Sequence, residues 1–276
     1  MKLMKGIQDI RLTENNVKDI ICCPGGLEVK EKKFKGDITK TLSWRHDMIE
    51  KGMTGFVSYV GDFPRGFVEY MPAEKSPFPI ERPGAVVLMC YHWASRDDHE
   101  DEHLSQEKRL LDLVIEDVED IYTGIATLGW DNQVHYPIEF LRDLGFQEVE
   151  KNDITSLMWL PFSNNTDEPV MAKNRYEITD LSLEGKLSIE AAYSSRCPYS
   201  IHNAARLKEV VKEIDDKRIE LSVYHIDTHE ESIKYYVSPW NWEWLYLNGE
   251  EATYFQTTSQ ELKRTILEKL DSLEDK

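Results

Sequence analysis

The thiol of Cys197 combines more features of a reactive group than any other side chain in the sequence. It precedes Pro198, Tyr199 and Ser200, with a strand-forming run before it and a helix-forming run after it. A thiol at a helix N-terminus gains thiolate character from the aligned peptide dipoles, and the neighbouring Arg196 adds positive charge. Cys197 is therefore predicted to react fastest of the four cysteines, the competing expectation being a scaffold residue that only packs. No second cysteine follows within the helix, so an internal disulfide cannot close there, and the chemistry left open is mixed-disulfide or monothiol exchange with an external thiol, or ligand binding. The adjacent Cys22 and Cys23 could close only a strained ring, and Pro24-Gly25-Gly26 after them reads as a turn. Cys90 lies inside an apolar run, where packing is the expected role.

His99 and His103, four residues apart among Asp97, Asp98 and Asp101, could present two imidazoles on one helical turn to a divalent cation. A solvated, acid-rich helix entry accounts for the same stretch, because carboxylates favour a helix N-terminus. With no His-Glu-x-x-His match, no resident metal is expected.

These residues need a folded frame, and the composition supplies one. Hydrophobic residues are 41% and aromatic residues 11% of 276, enough for a packed core and against disorder. The length suits two domains. Lys plus Arg number 33 against 51 Asp plus Glu, a net charge of -18. Such a field repels phosphate backbones and anionic lipid, so neither nucleic acid nor membrane is an expected partner. No apolar run approaches the roughly 18 residues of a membrane span, and Gln8, Asp9 and Arg11 interrupt any signal-peptide core. A cytoplasmic location follows as the expectation.

Periodicity divides the chain. Phe56 to Tyr59 and Gly66 to Tyr70 flank a Gly61-Asp62 turn as a hairpin, and Ala85 to Tyr91 is a continuous apolar run of central-strand length. Leu104, Leu110, Leu111, Val114, Ile115 and Val118 recur at helical spacing up to about Asp120. A strand is predicted over Ile121 to Leu128, a helix over Ile138 to Leu144 capped by Gly145, and strands over Phe146 to Val149 and Leu157 to Phe162. The sum is mixed α/β (α+β) around a central sheet.

The hairpin with Gly66-Phe67-Val68-Glu69-Tyr70, the buried strand feeding a helix, and Phe140-Leu141-Arg142-Asp143-Leu144-Gly145-Phe146 resemble the GNAT superfamily of acyl-CoA-dependent N-acetyltransferases over residues 1–162. The Cys22-Cys23-Pro24-Gly25-Gly26 segment and the domain order resemble its YoaP-like branch. The resemblance implies acetyl-CoA as cofactor, a small-molecule or protein amine as acceptor, and direct attack of that amine. Backbone amides of the Ala85 to Tyr91 strand would polarise the thioester, with Tyr91 and Trp93 at its end facing the cofactor. Glu69 would serve as general base, and Tyr136 or His135 would protonate the leaving thiolate, since Leu141 occupies the position of the usual tyrosine. The bland alternatives are a solvated strand glutamate at 69 and a helix entry at Tyr136-Pro137. Aligning Leu110-Leu111 with the family's helix leucines puts Glu102, Ser105 and Glu107, with Lys108 beside them, where a Gly-rich loop would cradle the pyrophosphate. Gly is absent from Ala94 through Thr123, and five carboxylates crowd residues 96–103. Weakened or altered CoA binding is the expectation.

After a polar linker, residues 163–184, a second pattern begins. Strands at Leu187 to Tyr193, Ile219 to Ile226 and Trp242 to Leu247 alternate with helices at Ser200 to Ile214, Glu230 to Tyr236 and Ser259 to Leu270. Asn248-Gly249 marks a hairpin, and Thr258 with Glu261 has capping-box spacing. The order β-α-β-α-β-β-α over residues 185–276 resembles thioredoxin and glutaredoxin. By that resemblance Cys197 is the active thiol, Pro198 opens the helix, Ser200 replaces the resolving cysteine and Pro239 is the proline preceding the third strand, with a low-molecular-weight thiol as partner. Trp240, Trp242 and Trp244 would share one strand face, most simply as core. Two function classes remain open: an N-acetyltransferase with an accessory thioredoxin-like domain, and a non-enzymatic binding or sensing protein on a degenerate acetyltransferase fold.

Overall fold

A computed structural model describes residues 6–22, 26–93, 100–131, 136–152, 155–164, 167–173, 176–237, 243–252 and 258–273. Chain contacts divide it into two units, one comprising Met1–Ser76 with Ile80–Ala172, the other Pro77–Pro79 with Lys173–Lys276. Residues 163–172 of the polar linker thus count with the first unit and 173–184 with the second.

The first unit runs β1 (Ile7–Arg11), α1 (Gly26–Glu50), β2 (Thr54–Val60), β3 (Phe63–Pro72), β4 (Ile80–Glu81), β5 (Val86–Trp93), α2 (Glu100–Val118), β6 (Gly124–Trp130), α3 (Ile138–Asp143), β7 (Gln147–Asn152), β8 (Thr155–Pro161) and β9 (Val170–Met171). Seven strands form one sheet in the order β1-β2-β3-β5-β6-β8-β7, and β4 pairs with β9 as a separate ribbon. The expected hairpin is β2–β3, and the apolar run around residue 88 is the central strand β5. Within the large sheet only β5 and β6 pair in parallel, because the α2 crossover between them returns the chain in the same direction. Leu110, Leu111, Val114 and Val118 of α2 pack with Ile138 and Leu141 of α3 onto Val68, Tyr70, Val86 and Leu88 of the sheet.

Two departures from the sequence reading have physical causes. β6 starts at Gly124 rather than Ile121, since the Tyr122 amide still donates to Val118 O at 2.9 Å and leaves the Ile121 side chain 75% exposed in the turn. The helix α1 has no counterpart in the periodic reading: its inward stripe is Thr41, Trp44, Arg45 and Met48, spaced i, i+3, i+4, i+7, but half of it is polar.

The second unit runs β10 (Leu187–Tyr193), α4 (Pro198–Ile214), β11 (Ile219–His225), α5 (His229–Lys234), β12 (Trp244–Leu247), β13 (Glu250–Glu251) and α6 (Ser259–Asp271). The sheet order is β11-β10-β12-β13, parallel between β10 and β11 and antiparallel elsewhere. The β12–β13 turn has Asn248 at φ 46 and Gly249 at φ 79, the two left-handed residues that a hairpin turn matching strand twist requires. α6 opens with both halves of the Thr258–Glu261 capping box. One sheet face packs α4 and α6 through Leu207, Val210, Leu262, Ile266 and Leu270. Trp244 is buried with Ala192 and Ile226, so this indole is core; Trp240 and Trp242 lie outside the described residues, as does Pro239.

Candidate functional site

In the first unit the central sheet opens. β5 and β6 pair only at Val86–Ile125 and Val87–Ala126. At Leu88 the Thr127 hydroxyl donates to the backbone carbonyl at 3.1 Å, a side chain standing in for the next ladder bond. Beyond it the strands are bridged by Tyr136. The Trp130 amide of β6 donates to Tyr136 O at 3.0 Å, while on the β5 side the Tyr91 amide reaches the Tyr136 hydroxyl at 3.4 Å. That hydroxyl also donates to Cys90 Sγ at 3.0 Å. Tyr136 has φ 43, a left-handed backbone that costs a bulky residue roughly 1–2 kcal/mol and persists only where the surroundings enforce it. Packing against Tyr91, with ring centroids 4.4 Å apart, and Trp130, at 5.7 Å, supplies the enforcement.

A bulge in β5 sets what faces this opening. Glu69 pairs with Cys90 and Tyr70 with Leu88, leaving Met89 as the extra residue. Strict alternation would send Leu88 and Tyr91 to opposite faces, yet both join the core beneath α2, because the bulge shifts the phase by one. The result is a strand edge whose Tyr91 amide and Cys90 thiol each lie within hydrogen-bonding reach of the Tyr136 hydroxyl.

Glu107 comes to the same edge from α2. Its Oε1 accepts from the Trp93 amide at 3.3 Å and lies 3.8 Å from His92 Nδ1. Burial pushes its carboxyl up to about 8, against the opposing effect of the Trp93 hydrogen bond, so near pH 7 it is largely neutral. The same burial, with the Glu107 and Cys90 charges nearby, pushes the Tyr91 phenol well up. Of the residues aligned with a phosphate loop, Ser105 is half-buried, and Lys108 is exposed and bonded to Asp112 at 2.9 Å. Glu102 and His103 lie in the first turns of α2, where only the backbone is described; His99 and His135 fall outside the described residues. Among the described residues, no three His, Cys, Asp or Glu side chains converge as a metal would need. Trp93 is fully buried, with the Arg109 guanidinium 5.7 Å from its ring.

Glu69 has neither the solvated surface place nor the open place a base for an incoming amine would need. It is fully buried, and its Oε2 takes a 3.1 Å bond from Arg45 Nε of α1, itself almost fully buried. Arg45 was invisible to a search for apolar periodicity, although a lone arginine at the core position of a helical stripe does call for a buried acid.

In the second unit Cys197 is the half-buried N-cap of α4, with Pro198 in the first turn. Its carbonyl accepts from the Ser200 and Ile201 amides at 3.1 and 3.3 Å. Ser200 is fully buried, and its hydroxyl accepts from the Ser194 amide at 3.0 Å, so the side chain at the resolving position braces the loop before the thiol. The Arg196 guanidinium lies 4.6 Å from the Phe78 ring. Close by in sequence, the Ser195 hydroxyl and the Asp227 carboxylate both meet His225 Nε2, at 2.7 and 2.8 Å. The hydrogen bond to Asp227 raises the His225 pKa. Glu243, buried and pushed up to about 7 by that burial, accepts from Asn203 Nδ2 at 2.6 Å. His225 and Asp227 lie two residues apart at the end of β11 and just after it, and Glu243 immediately before β12; all three were missed because no motif in the sequence marks them.

No protein-family model matches the chain. In sequence it is similar to the curated "Uncharacterized N-acetyltransferase YoaP" of Bacillus subtilis (strain 168), with 24% identity over 230 residues, 82% of this chain and 85% of that protein. Among solved structures it is similar to a putative GNAT-family acetyltransferase from Desulfovibrio desulfuricans, with 15% identity over 57% of this chain and 100% of that one and a TM-score of 0.41. It is also similar to the PaiA N-acetyltransferase of Thermoplasma acidophilum in complex with coenzyme A, with 11% identity, coverage of 56% and 99%, and a TM-score of 0.40.

Proposed function

We propose that the first unit transfers an acyl group from acyl-CoA to the amine of a small molecule or protein. The observation that carries this reading is the parting of β5 and β6 with the Tyr91 amide and the Tyr136 hydroxyl 3.4 Å apart inside it. Support comes also from the Gly66 to Tyr70 and Phe140 to Phe146 segments and from the name of the Bacillus relative. Bound acetyl-CoA would supply an activated thioester. Tyr91 N–H would hold its carbonyl oxygen, and Tyr136, held rigidly at the parting, would deliver a proton to the departing sulfur.

The residues present fit the acyl end of such a ligand, since an amide donor and a hydroxyl converge on a strand edge that sheet pairing leaves open. The phosphate end is poorer. No glycine or alanine stands at 102, 105 or 107, and Lys108 lies more than two turns into α2, bonded to Asp112. Burial nevertheless removes most of the charge of Glu107 near neutral pH, so this carboxyl adds little to the repulsion from the five carboxylates of residues 96–103. Trp93 would wall the site, and Ser105, Glu102 and Lys108 would border the phosphates.

The second unit is proposed as an accessory thioredoxin-like domain with Cys197 as a single exchangeable thiol, Pro198 and Ser200 shaping its helix entry, and Pro239 preceding the third strand. The β-α-β-α-β-β-α order and the N-cap position of Cys197 support this. A non-enzymatic binding protein is the second reading, favoured by Glu107 already holding the Trp93 amide.

Calorimetric titration with acetyl-CoA separates the two. Micromolar binding is expected, and Tyr136→Phe should then lower acetyl transfer to an amine about 100-fold or more with binding intact. Silence at millimolar acetyl-CoA would leave the binding protein.

A further inference from the structure

Among the described residues at the parting, Cys90 has no use in direct transfer to an amine. The Cys90 thiol is half-buried on β5, and its sulfur accepts a hydrogen bond from the Tyr136 hydroxyl at 3.0 Å. It immediately follows Met89, the bulged residue, and immediately precedes Tyr91, whose amide reaches the same hydroxyl. The carboxylate that a direct route would use as base, Glu69, is sequestered with Arg45. From the juxtaposition of Cys90 Sγ, Tyr136 Oη and Tyr91 N, we infer that Cys90 accepts the acyl group itself, so that transfer proceeds through an S-acyl-Cys90 enzyme. The inference rests on the acyltransferase reading and assigns the nucleophile of its first half-reaction.

The balance is simple. Cys90 sulfur attacks the thioester carbonyl, the bond from that carbonyl to the sulfur of CoA breaks, and the thiol proton of Cys90 ends on CoA, giving S-acyl-Cys90 and free CoA thiol. An amine then attacks S-acyl-Cys90; the carbon–sulfur bond breaks, the amide forms, and an amine proton returns to the Cys90 sulfur. No oxidant, reductant or metal enters. Tyr136 takes part in both halves, because a phenol donating to sulfur stabilises the thiolate that attacks first and leaves second. Tyr91 N–H would hold the carbonyl oxygen while it carries negative charge. Thioester-to-thioester exchange is nearly neutral in free energy because the bond broken and the bond formed are of the same kind.

The test uses the full chain with acetyl-CoA and no amine. Rapid acid quenching followed by peptide mass spectrometry should find one acetyl group on the Cys90 peptide, removable by hydroxylamine. In the same mixture, isotope-labelled CoA should exchange into acetyl-CoA, and Cys90→Ser should abolish that exchange while Tyr136→Phe slows it. The adduct on the unmodified protein needs no variant, so poor folding of Cys90→Ser would not blunt the test. If acetyl-CoA binds by calorimetry but neither adduct nor exchange appears, or the acetyl group maps elsewhere, Cys90 is not the acceptor and the acyltransferase reading survives without it. If acetyl-CoA does not bind, both fall together.

Discussion

Two buried glutamates in the first unit handle the cost of burial in opposite ways. Glu69 keeps a cationic partner, Arg45, at 3.1 Å, whereas Glu107 faces an amide, a histidine and a phenol, and holds its proton. Removing Arg45 alone should therefore be expensive, since it strands a carboxylate in the core: Arg45→Met is expected to cost about 3–5 kcal/mol in urea unfolding. Replacing both, Arg45→Met with Glu69→Leu, should recover most of that loss, and a double variant no better than the single one would mean that the pair contributes more than charge compensation. Glu107 predicts a pH signature instead. Its folded pKa near 8 lies above the ordinary 4.5, so between those values the folded chain holds a proton that the unfolded chain has released. The stabilisation is complete below about pH 4.5 and declines as pH rises towards 8. Glu107→Gln, which keeps the neutral shape, should flatten that decline; identical pH profiles would place the shift elsewhere. From sequence Glu69 and Glu107 were both assigned to chemistry by position in a resemblance, and neither burial nor pairing could be read, because the residues that bury them are distant in the chain.

At the level of elements, the strands were legible wherever the apolar pattern was unbroken, as in β5, and the last helix wherever its capping box was local. α1 was not, because Thr41 and Arg45 sit in its inward stripe and only the arrival of β3 makes an arginine acceptable there. The β2–β3 pairing imposes a further demand that composition does not reveal. A Cβ at Gly55 would stand 1.9 Å from Val68 O, a backbone atom that cannot move without breaking the ladder. Gly55→Ala is therefore expected to destabilise by at least about 1–3 kcal/mol, measured by the thermal or urea midpoint. Little change would show that β2 and β3 can part locally. The same sheet also decides where chemistry is offered: two parallel pairs hold β5 to β6, and the Thr127 bond to Leu88 O ends the contact just before Cys90.

For the molecule as a whole, net charge is the dominant number, and it sets how an anion approaches. With -18 on 276 residues, acyl-CoA meets a repulsive field that at low salt reaches about 30 Å, the Debye length at 0.01 M. Raising ionic strength from about 0.01 to 0.15 M should then strengthen acetyl-CoA binding, the reverse of the usual trend for a cationic phosphate site. A dissociation constant that rises with salt would show a local positive cradle outweighing the net charge. Among the described residues, no helix is long and apolar enough to cross a membrane.

Several properties needed only the sequence: the globular class, the acidic field, the mixed α/β architecture, the β-α-β-α-β-β-α order of the second unit and the helix N-terminal place of Cys197. Each depends on composition or on residues a few positions apart, where periodicity, turn chemistry and capping act. The tertiary structure alone decided that Glu69 is an ion-pair partner, that Glu107 is neutral near pH 7, that Ser200 braces a loop, and that Cys90 meets Tyr136. Those outcomes depend on which distant side chains exclude water from one another, and on a single bulged residue that sets the phase of the strand at Cys90 and Tyr91. Desolvation and register are properties of the packed sheet, and no local stretch of chain contains them.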